Sequence, residues 1–215
     1  MKKLFLFIIS IAIGTAIVTF GYLWDVPRNS QLLKPFFPKT LFSIADAPGQ
    51  SLSGEIASMS GNVGWQSRTA DYATLINSPV KVQQGEAIST YQNGETTVNF
   101  PGIGNMTLSP NTQVNFIQTL PANFVVEQKQ GISAYIKNGN IPISVRALDL
   151  LINFEEGNYA VSVDKDSTNI IVTVNSGSII VAFNDTNNNT NIVTVKEGEQ
   201  YLFNNNTKLG RIKPL

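Results

Sequence analysis

The sequence of 215 residues contains no histidine and no cysteine, and these absences exclude several kinds of chemistry. Without histidine there is no Ser-His-Asp triad, no Cys-His dyad and no imidazole base. Ordinary zinc, haem and iron–sulfur sites require nitrogen or sulfur ligands, so no cofactor of these kinds is expected. Disulfide bonds are impossible as well, and cysteine usage therefore carries no information about the redox compartment.

Charged side chains are also scarce, and the two signs balance. They form 14% of the chain, with 15 basic and 15 acidic residues, whereas an ordinary domain has about 25%. A nucleic-acid-binding protein needs a basic face that neutralises phosphates, so the balanced charge predicts no nucleic-acid partner. The apolar share of 42% is ordinary. The length suits one domain with a core and an additional segment.

Residues 4–24 form an apolar run without a charged side chain. A helix of this length would span roughly 30 Å, the thickness of the bilayer core. Tyr22 and Trp24 stand at one end, where aromatic side chains favour the membrane interface. The sequence therefore predicts a transmembrane anchor over residues 1–24, with the membrane as a partner through residues 4–24. A cleaved signal peptide is the alternative, although its apolar region usually has only about 7–15 residues.

The charges around this run bear on its orientation. Lys2 and Lys3 precede it, and the positive-inside rule then places the N-terminus in the cytoplasm. Arg28, Lys34 and Lys39 follow the run and favour the opposite orientation, which stays open. We expect a single-pass protein of the cell membrane with an extracytoplasmic C-terminal domain.

Residues 25–52 contain scattered prolines, at positions 27, 35, 38 and 48. Proline fixes φ and removes a backbone donor, so this stretch is expected to be an extended linker. From residue 53 to residue 215 the pattern changes. Short runs alternate between β-branched or aromatic residues and polar ones, as in Tyr159–Val163 and Ile171–Val174, which is the period of half-buried strands.

Asn and Gly between these runs suit tight hairpin turns. No convincing helical period follows residue 50, and the best candidate, Arg146–Leu151, is long enough only for one helical turn or a strand. The sequence therefore predicts an all-β fold over residues 53–215. Stacked hairpins would form either a two-sheet sandwich or a rolled β-solenoid, preceded by the one N-terminal transmembrane helix.

Several motifs follow one another in a fixed order in this β-rich part. They are Gly54–Val63, Lys81–Thr90, Gly94–Phe100 with Met106–Thr112, Tyr159–Val163, Val174–Val181 and Val195–Gln200. The second and the last contain the pattern V-x-x-G-E. In this order the motifs resemble the FecR domain, an extracytoplasmic β-rich module of bacterial membrane proteins. The resemblance covers most of residues 53–215 and implies a module without catalytic residues.

Two departures from that family limit what the resemblance implies. The family usually has Gly-Thr before its "F-x-V" strand, where this sequence has Glu156-Gly157-Asn158. Founding members also carry a cytoplasmic segment that holds a sigma factor. Here only Met1-Lys2-Lys3 precedes the apolar run, so we expect that sigma-regulator segment to be lacking. The resemblance therefore implies the fold of the family's domain, but it does not imply the signalling role of the founding members as it stands.

Three functions fit these observations. The first is a membrane-anchored binding or scaffold module of the cell envelope, whose sheet edges contact a partner protein or an envelope polymer. The second is a signal-transduction component that acts with a membrane partner. The third is a lipid-carrying β-jelly roll, which requires an apolar groove between its sheets.

Candidate sites for chemistry are few. Carboxylates cluster at Glu155 and Glu156, at Asp164 and Asp166, and at Glu197 and Glu199. A glycosidase needs two carboxylates facing each other at about 5–9.5 Å, and Asp164 with Asp166 could instead supply oxygen ligands to Ca²⁺. Solvated hairpin turns are the simpler interpretation of the second and third pairs. We therefore expect no enzyme, no catalytic residue, no cofactor and no metal site, and Asp164 with Asp166 would be the candidates if a metal were bound.

Aromatic side chains offer one more candidate surface. A carbohydrate-stacking platform could be built from Trp65, Tyr72, Tyr91, Tyr135, Tyr159 and Tyr201. Their spread over many strands is more typical of core and sheet-surface residues. Trp65 lies between Gly64 and a polar stretch, which makes it the candidate for contact with a ligand or partner.

Overall fold

A computed structural model describes residues 14–15, 47–166 and 168–215. The predicted anchor at 1–24 and linker at 25–52 lie outside the described residues, apart from 14–15 and 47–52. Within the described residues, no helix has the length and apolar character needed to span a bilayer.

Every regular element between residues 47 and 215 is a β-strand in the part that the structure describes, which confirms the all-β prediction for this part. The strands are β1 (Gly54–Ser60), β2 (Val63–Gln66), β3 (Thr74–Ile76), β4 (Lys81–Val82), β5 (Ala87–Thr90), β6 (Glu95–Phe100), β7 (Gly104–Leu108), β8 (Gln113–Leu120), β9 (Asn123–Lys137), β10 (Ile143–Ala147), β11 (Leu150–Phe154), β12 (Gly157–Val163), β13 (Asn169–Ser176), β14 (Ser178–Asn184), β15 (Thr190–Lys196), β16 (Glu199–Asn204) and β17 (Leu209–Pro214).

These strands pair in two hydrogen-bonded ladders. Ladder A has the order β4-β1-β6-β7-β9-β12-β13-β16-β17. Ladder B has the order β3-β2-β5-β8-β9-β10-β11-β14-β15. All pairs are antiparallel except β9 with β10, which is parallel. Strand β9 belongs to both ladders and joins them into one continuous pairing network.

The change of ladder within β9 occurs at Gly131. Residues before it pair with β8 and β10, and residues from it onward pair with β7 and β12. Gly131 has a φ of +87°, a conformation that costs an L side chain energy. A Cβ there would lie 2.6 Å from the carbonyl oxygen of Asn111 and still closer to Cα of Thr112. Only glycine therefore fits this bend without displacing the neighbouring backbone.

A buried amide holds the same bend. The side chain of Gln128 is fully buried, and its Nε2 donates to the carbonyl oxygens of Gly131 at 2.8 Å and Val161 at 2.9 Å. Its Oε1 accepts a hydrogen bond from the hydroxyl of Tyr135 at 3.1 Å. A buried polar group is tolerated where its hydrogen bonds are made, and here those bonds tie the two halves of β9 together.

Aromatic rings contact each other across the space between the ladders. Phe100 of ladder A lies with its ring centroid 4.7 Å from that of Phe124 in ladder B. Phe154 of ladder B stacks on Tyr159 of ladder A, also at 4.7 Å. Period-two alternation places such side chains on one face of each strand. The two ladders therefore pack face to face, and burial of each such side chain contributes about 1.5–3 kcal/mol.

The hydroxyl of Tyr159 fixes the places where the chain passes between the ladders. It lies 3.1 Å from the carbonyl oxygen of Glu155, 3.0 Å from that of Glu156 and 3.1 Å from that of Ser178. Glu155 and Glu156 connect β11 to β12, and Ser178 opens β14 after the turn at Gly177. This one hydroxyl therefore lies within hydrogen-bonding distance of both the β11–β12 connection and the start of β14.

We expect Tyr159→Phe to lower the free energy of unfolding by about 1–2 kcal/mol, because the substitution removes the hydrogen bond that this hydroxyl donates at the crossings. The measurement is urea unfolding of the full-length chain in detergent. Tyr72→Phe is the matched control, since Tyr72 is 82% exposed, and it should change stability by less than about 0.5 kcal/mol. Equal effects of the two substitutions would show that the Tyr159 hydroxyl does not contribute to the free energy of unfolding.

The segment Arg146–Leu151, for which the sequence allowed a helical turn or a strand, forms a hairpin turn. Ala147 pairs with Leu150 across it, so Leu148 and Asp149 form the loop. Leu148 has a φ of +53°, a value that a bulky residue rarely adopts, and its side chain packs against the core. The turn carries no glycine, which is why the sequence gives no hairpin signal there.

Candidate interaction surface

Trp65 lies on β2 and is half-buried, with its ring packed against the core. Its Nε1 donates to Oε2 of Glu86 at 3.0 Å. The same oxygen accepts a hydrogen bond from the backbone N–H of Gln83 at 2.8 Å. The one polar group of Trp65 is therefore used inside the protein, where it connects β2 to the turn before β5. Contact of Trp65 with a ligand or partner stays a prediction.

The two V-x-x-G-E motifs form the same kind of turn. Each glycine has a positive φ, +84° at Gly85 and +78° at Gly198. In the second turn Oε2 of Glu199 accepts from the backbone N–H of Lys196 at 2.8 Å, as Glu86 does in the first. The glutamate of the motif thus closes its own turn, which explains the repeated pattern structurally.

Asp164 and Asp166 lie in the turn between β12 and β13. Oδ1 of Asp164 accepts from the backbone N–H of Thr168 at 2.7 Å, and Oδ2 accepts from Nδ2 of Asn169 at 2.9 Å. Burial alone would raise the pKa of Asp164, but hydrogen bonds from Asn169 and Thr168 outweigh it and lower the pKa. Within the described residues, no group of three or more potential carboxylate, histidine or cysteine ligands comes together. The geometry gives these oxygens a role in shaping the turn.

The other acidic candidates also act in turns. The carboxylate of Glu155 accepts a hydrogen bond from the hydroxyl of Ser178, and Glu156 supplies its carbonyl oxygen to Tyr159. These contacts hold the crossings between the ladders.

The six candidate aromatic side chains do not share one surface. Tyr135, Tyr159 and Tyr201 are 2% exposed or less and belong to the core. Tyr72 is 82% exposed and Tyr91 is 42% exposed. The alternating pattern showed which residues share a face but not which face turns inward, so the sequence alone did not separate these groups.

One cavity between the ladders is too small for a ligand. It is lined by apolar side chains that include Phe100, Phe124, Tyr135 and Phe154, and it has a volume of about 10 Å³. This volume holds about one water molecule. An acyl chain would need a much larger space, so the interior at this point is closed to lipid.

One ion pair lies on the outer face of ladder B. Glu127 accepts hydrogen bonds from Arg146 and from Nδ2 of Asn115, the latter at 2.8 Å. Burial would raise the pKa of Glu127, but these hydrogen bonds and the positive charge of Arg146 lower it overall. A lowered pKa in the folded state means that this pair stabilises the fold above the unfolded-state pKa, and that the stabilisation is lost as the pH falls through the folded-state pKa.

We therefore expect Glu127→Gln to destabilise the protein at pH 7 by less than about 1 kcal/mol, because the pair is partly exposed. The difference between variant and native chain should shrink as the pH is lowered from about 7 to about 3. Urea unfolding at several pH values measures this. A difference that grows toward acid would contradict the assignment.

Each ladder ends in a long edge strand at the same end of the domain. Within the described residues, β17 pairs with β16 alone in ladder A, and β15 pairs with β14 alone in ladder B. Phe183 of β14 contacts Phe203 of β16 with ring centroids 4.8 Å apart, so these last strands face each other. We call β15 and β17 the open edge.

The opposite end of each ladder is built differently. Its edge strands are β3 with three residues and β4 with two, and β4 pairs with only Gly54 and Glu55 of β1. Short edges are a common protection against strand addition. The open edge has seven residues in β15 and six in β17. Its N–H and C=O groups are the larger template for a further strand.

The open edge carries side chains that suit contact with another molecule. Ile192 on β15 is 69% exposed and Leu209 on β17 is 70% exposed. Arg211 and Lys213 also lie on β17, all of whose residues are exposed. The sequence pattern had not singled out this strand. The available signals were the alternation of Ile212 with Arg211 and Lys213 and the absence of any acidic residue from 200 to 215.

Comparisons with known proteins bear on the fold. No protein-family model matches the sequence, and no curated protein matches it. Two crystal structures, at 2.50 and 1.65 Å resolution, of a "putative anti-sigma factor" from Parabacteroides distasonis ATCC 8503 do match. The TM-score is 0.52 and the sequence identity is 17%, over 60% of this chain. The likeness is one of fold. The match spans 59% of that protein, so about three fifths of its length has a counterpart here.

Proposed function

We propose that residues 53–215 are a FecR-like binding module, held at the cell membrane by residues 4–24 and placed outside the cytoplasm. The module contacts a partner protein through its open edge and works in signal transduction together with that partner. This proposal combines the motif order of the sequence with the architecture of the described residues. The two ladders form a sandwich in this proposal, with the partner at one end.

The observation that carries the proposal is the pair of long edge strands at one end of the domain. Strand addition at such an edge forms backbone hydrogen bonds without any rearrangement of the core. Strands β3 and β4 at the other end are shorter, with three and two residues. A binding role is therefore best placed at β15 and β17.

The signalling part of the proposal has separate support. The sequence motifs resemble those of a family whose founding members regulate sigma factors, and the fold is similar to that of the Parabacteroides protein described as a "putative anti-sigma factor". These two lines of support come from different comparisons. The cavity at Phe100 and Phe154 has room for about one water molecule and so offers the lipid-carrying alternative no support.

The test is site-specific photo-crosslinking of the full-length chain in living cells. A photoreactive residue replaces Ile192 or Leu209 on the open edge, and Leu75 on the short edge strand β3 serves as the control, because it is 60% exposed. We expect a specific crosslinked protein from the open-edge positions and none from Leu75. Equal crosslinking from all three positions, or none from any, would reject the open edge as the contact surface.

The membrane part is tested on the same cells. The full-length chain should remain in the membrane fraction after carbonate extraction, because a spanning helix is held by its apolar surface. Protease added outside spheroplasts should degrade the β domain. Complete protection of the domain would place it in the cytoplasm and reverse the proposed orientation.

A further inference from the structure

Strand β17 has two chemically different sides. Ile212 pairs with Tyr201 and Gly210 pairs with Phe203, and both aromatic residues are buried in the core. The side of β17 that carries Ile212 therefore continues the inner face of ladder A. Arg211 pairs with Leu202 and Lys213 pairs with Gln200, so these two cations project from the outer face.

The cations of β17 have no acidic counterparts nearby in sequence. Residues 200–215 contain Lys208, Arg211 and Lys213 and no acidic side chain. Lys208 forms a salt bridge with Asp149. In the described part of the chain, neither Arg211 nor Lys213 forms a salt bridge. The outer side of the strand therefore carries two cations without a salt-bridge partner among the described residues, although Asp164 lines the same hollow as Arg211.

The apolar side of β17 is also incompletely covered. Ile212 is 41% exposed although its partner Tyr201 is 2% exposed. The inner face of ladder A thus ends at a half-exposed aliphatic side chain. If a further strand paired with β17, the inward-facing side chain of that strand would cover Ile212.

Charge decides which occupant fits this edge. A second copy of the chain, pairing antiparallel through its own β17 in a central register, would place Arg211 opposite Arg211 or Lys213. Like charges directly opposite each other in paired strands are destabilising, and opposite charges are stabilising. The edge therefore disfavours its own copy and favours a strand with carboxylates on the outer side.

We propose that β17 is the docking strand for an extended segment of a partner protein in which acidic and apolar residues alternate. Carboxylates at positions i and i+2 of that segment lie beside Arg211 and Lys213. The apolar residue between them lies beside Ile212 and extends the inner face by one strand. This inference rests on the proposed function, because it names the chemistry of the partner that the open edge receives.

The experiment measures binding of fluorescent peptides to the full-length chain in neutral detergent by fluorescence anisotropy. The main probe is Glu-Val-Glu-Val-Glu-Val-Glu. A second probe replaces glutamate with lysine, and a third has the composition of the first with the glutamates and valines in separate blocks. We expect the main probe to bind more tightly than either of the others by about tenfold or more. Its binding should weaken as salt is raised, because exposed charges are screened.

Variants connect this binding to the strand. The double variant R211E/K213E should weaken binding of the main probe by about tenfold or more, and it should bind the lysine probe better than the native chain does. The control is K129E/K165E, which makes the same change of charge at two exposed lysines outside β17. The control variant should bind the main probe within about twofold of the native chain.

The possible outcomes separate this inference from the proposed function. Open-edge crosslinking without preference for the alternating acidic probe would overturn the partner chemistry and leave the binding module intact. Failure of both experiments would overturn both. Self-association that R211E/K213E abolishes would identify a second copy as the occupant, and crosslinks from β17 to residues 25–46 would identify the chain's own linker; either result overturns the inference.

Discussion

Replacing Gly131 with alanine is expected to lower the free energy of unfolding by about 2–5 kcal/mol. A left-handed backbone costs an L residue about 1–2 kcal/mol, and forcing an extra methyl group into packed structure costs about 1–3 kcal/mol more. Both costs apply, because Gly131 has a φ of +87° and its Cβ would meet the backbone of Asn111 and Thr112. Domains are typically stable by only about 5–15 kcal/mol, so the loss removes a large share.

The matched control is Gly198→Ala. Gly198 has a φ of +78°, similar to that of Gly131, but a Cβ there would have no atom within 4 Å. Its substitution should cost only the backbone part, about 1–2 kcal/mol. Urea unfolding of the full-length chain in detergent measures both variants. If the two substitutions cost the same, the close approach at the bend of β9 has no energetic weight.

Truncating Phe154 to alanine is expected to cost about 3–5 kcal/mol. This ring of ladder B lies between two rings of ladder A, with centroids 5.0 Å from Tyr135 and 4.7 Å from Tyr159. The truncation removes the buried apolar surface of the ring and leaves a cavity between the ladders. This new cavity adjoins one that already has room for a water molecule. The neighbouring rings are fixed by hydrogen bonds at Gln128 and at the crossings, so they cannot collapse freely into the cavity.

Leu151→Ala provides the control on the same strand. Leu151 lies on the outer face of β11 and is 39% exposed, so its truncation should cost about 1 kcal/mol or less. Thermal unfolding followed by circular dichroism should separate the two variants by several degrees. A loss of stability of comparable size in both variants would mean that the contact of Phe154 between the ladders contributes no more to stability than an outer-face side chain does.

Much of the strand pattern was predictable from local sequence. Tyr159–Val163 and Ile171–Val174 alternate as half-buried strands do, and they lie within β12 and β13, which pair with each other. Glycine also marked turns correctly, since Gly177 and Gly198 both adopt positive φ. These features depend on neighbours along the chain, which is why a single sequence reveals them.

The way the strands combine was not predictable in the same manner. Nothing local in Asn123–Lys137 shows that one strand serves two ladders or that its first half pairs in parallel with β10. Pairing partners are chosen by contacts far apart in sequence. Leu148 illustrates the same limit at a turn, because a leucine with positive φ is held there by packing against the core and not by its own preference.

The candidate surface was the least predictable part. An edge strand has the same alternation as a central one, and only the missing neighbour distinguishes it. The alternation and the charge of residues 209–214 therefore could not distinguish this edge strand from a central one. The flanking residues of Trp65 had suggested an exposed contact residue, whereas its ring packs on the core and its N–H donates to Glu86.

The placement of hairpins after β9 has a consequence for how such a domain changes during evolution. The β10–β11 hairpin lies in ladder B, β12–β13 in ladder A, β14–β15 in ladder B and β16–β17 in ladder A. Each new hairpin pairs with the one two places earlier and leaves all previous pairings intact. Gain or loss of one whole hairpin at this end would therefore alter the length of the domain in discrete steps without changing any existing register. Such a step would also replace the edge strand of one ladder, and with it part of the surface available to partners.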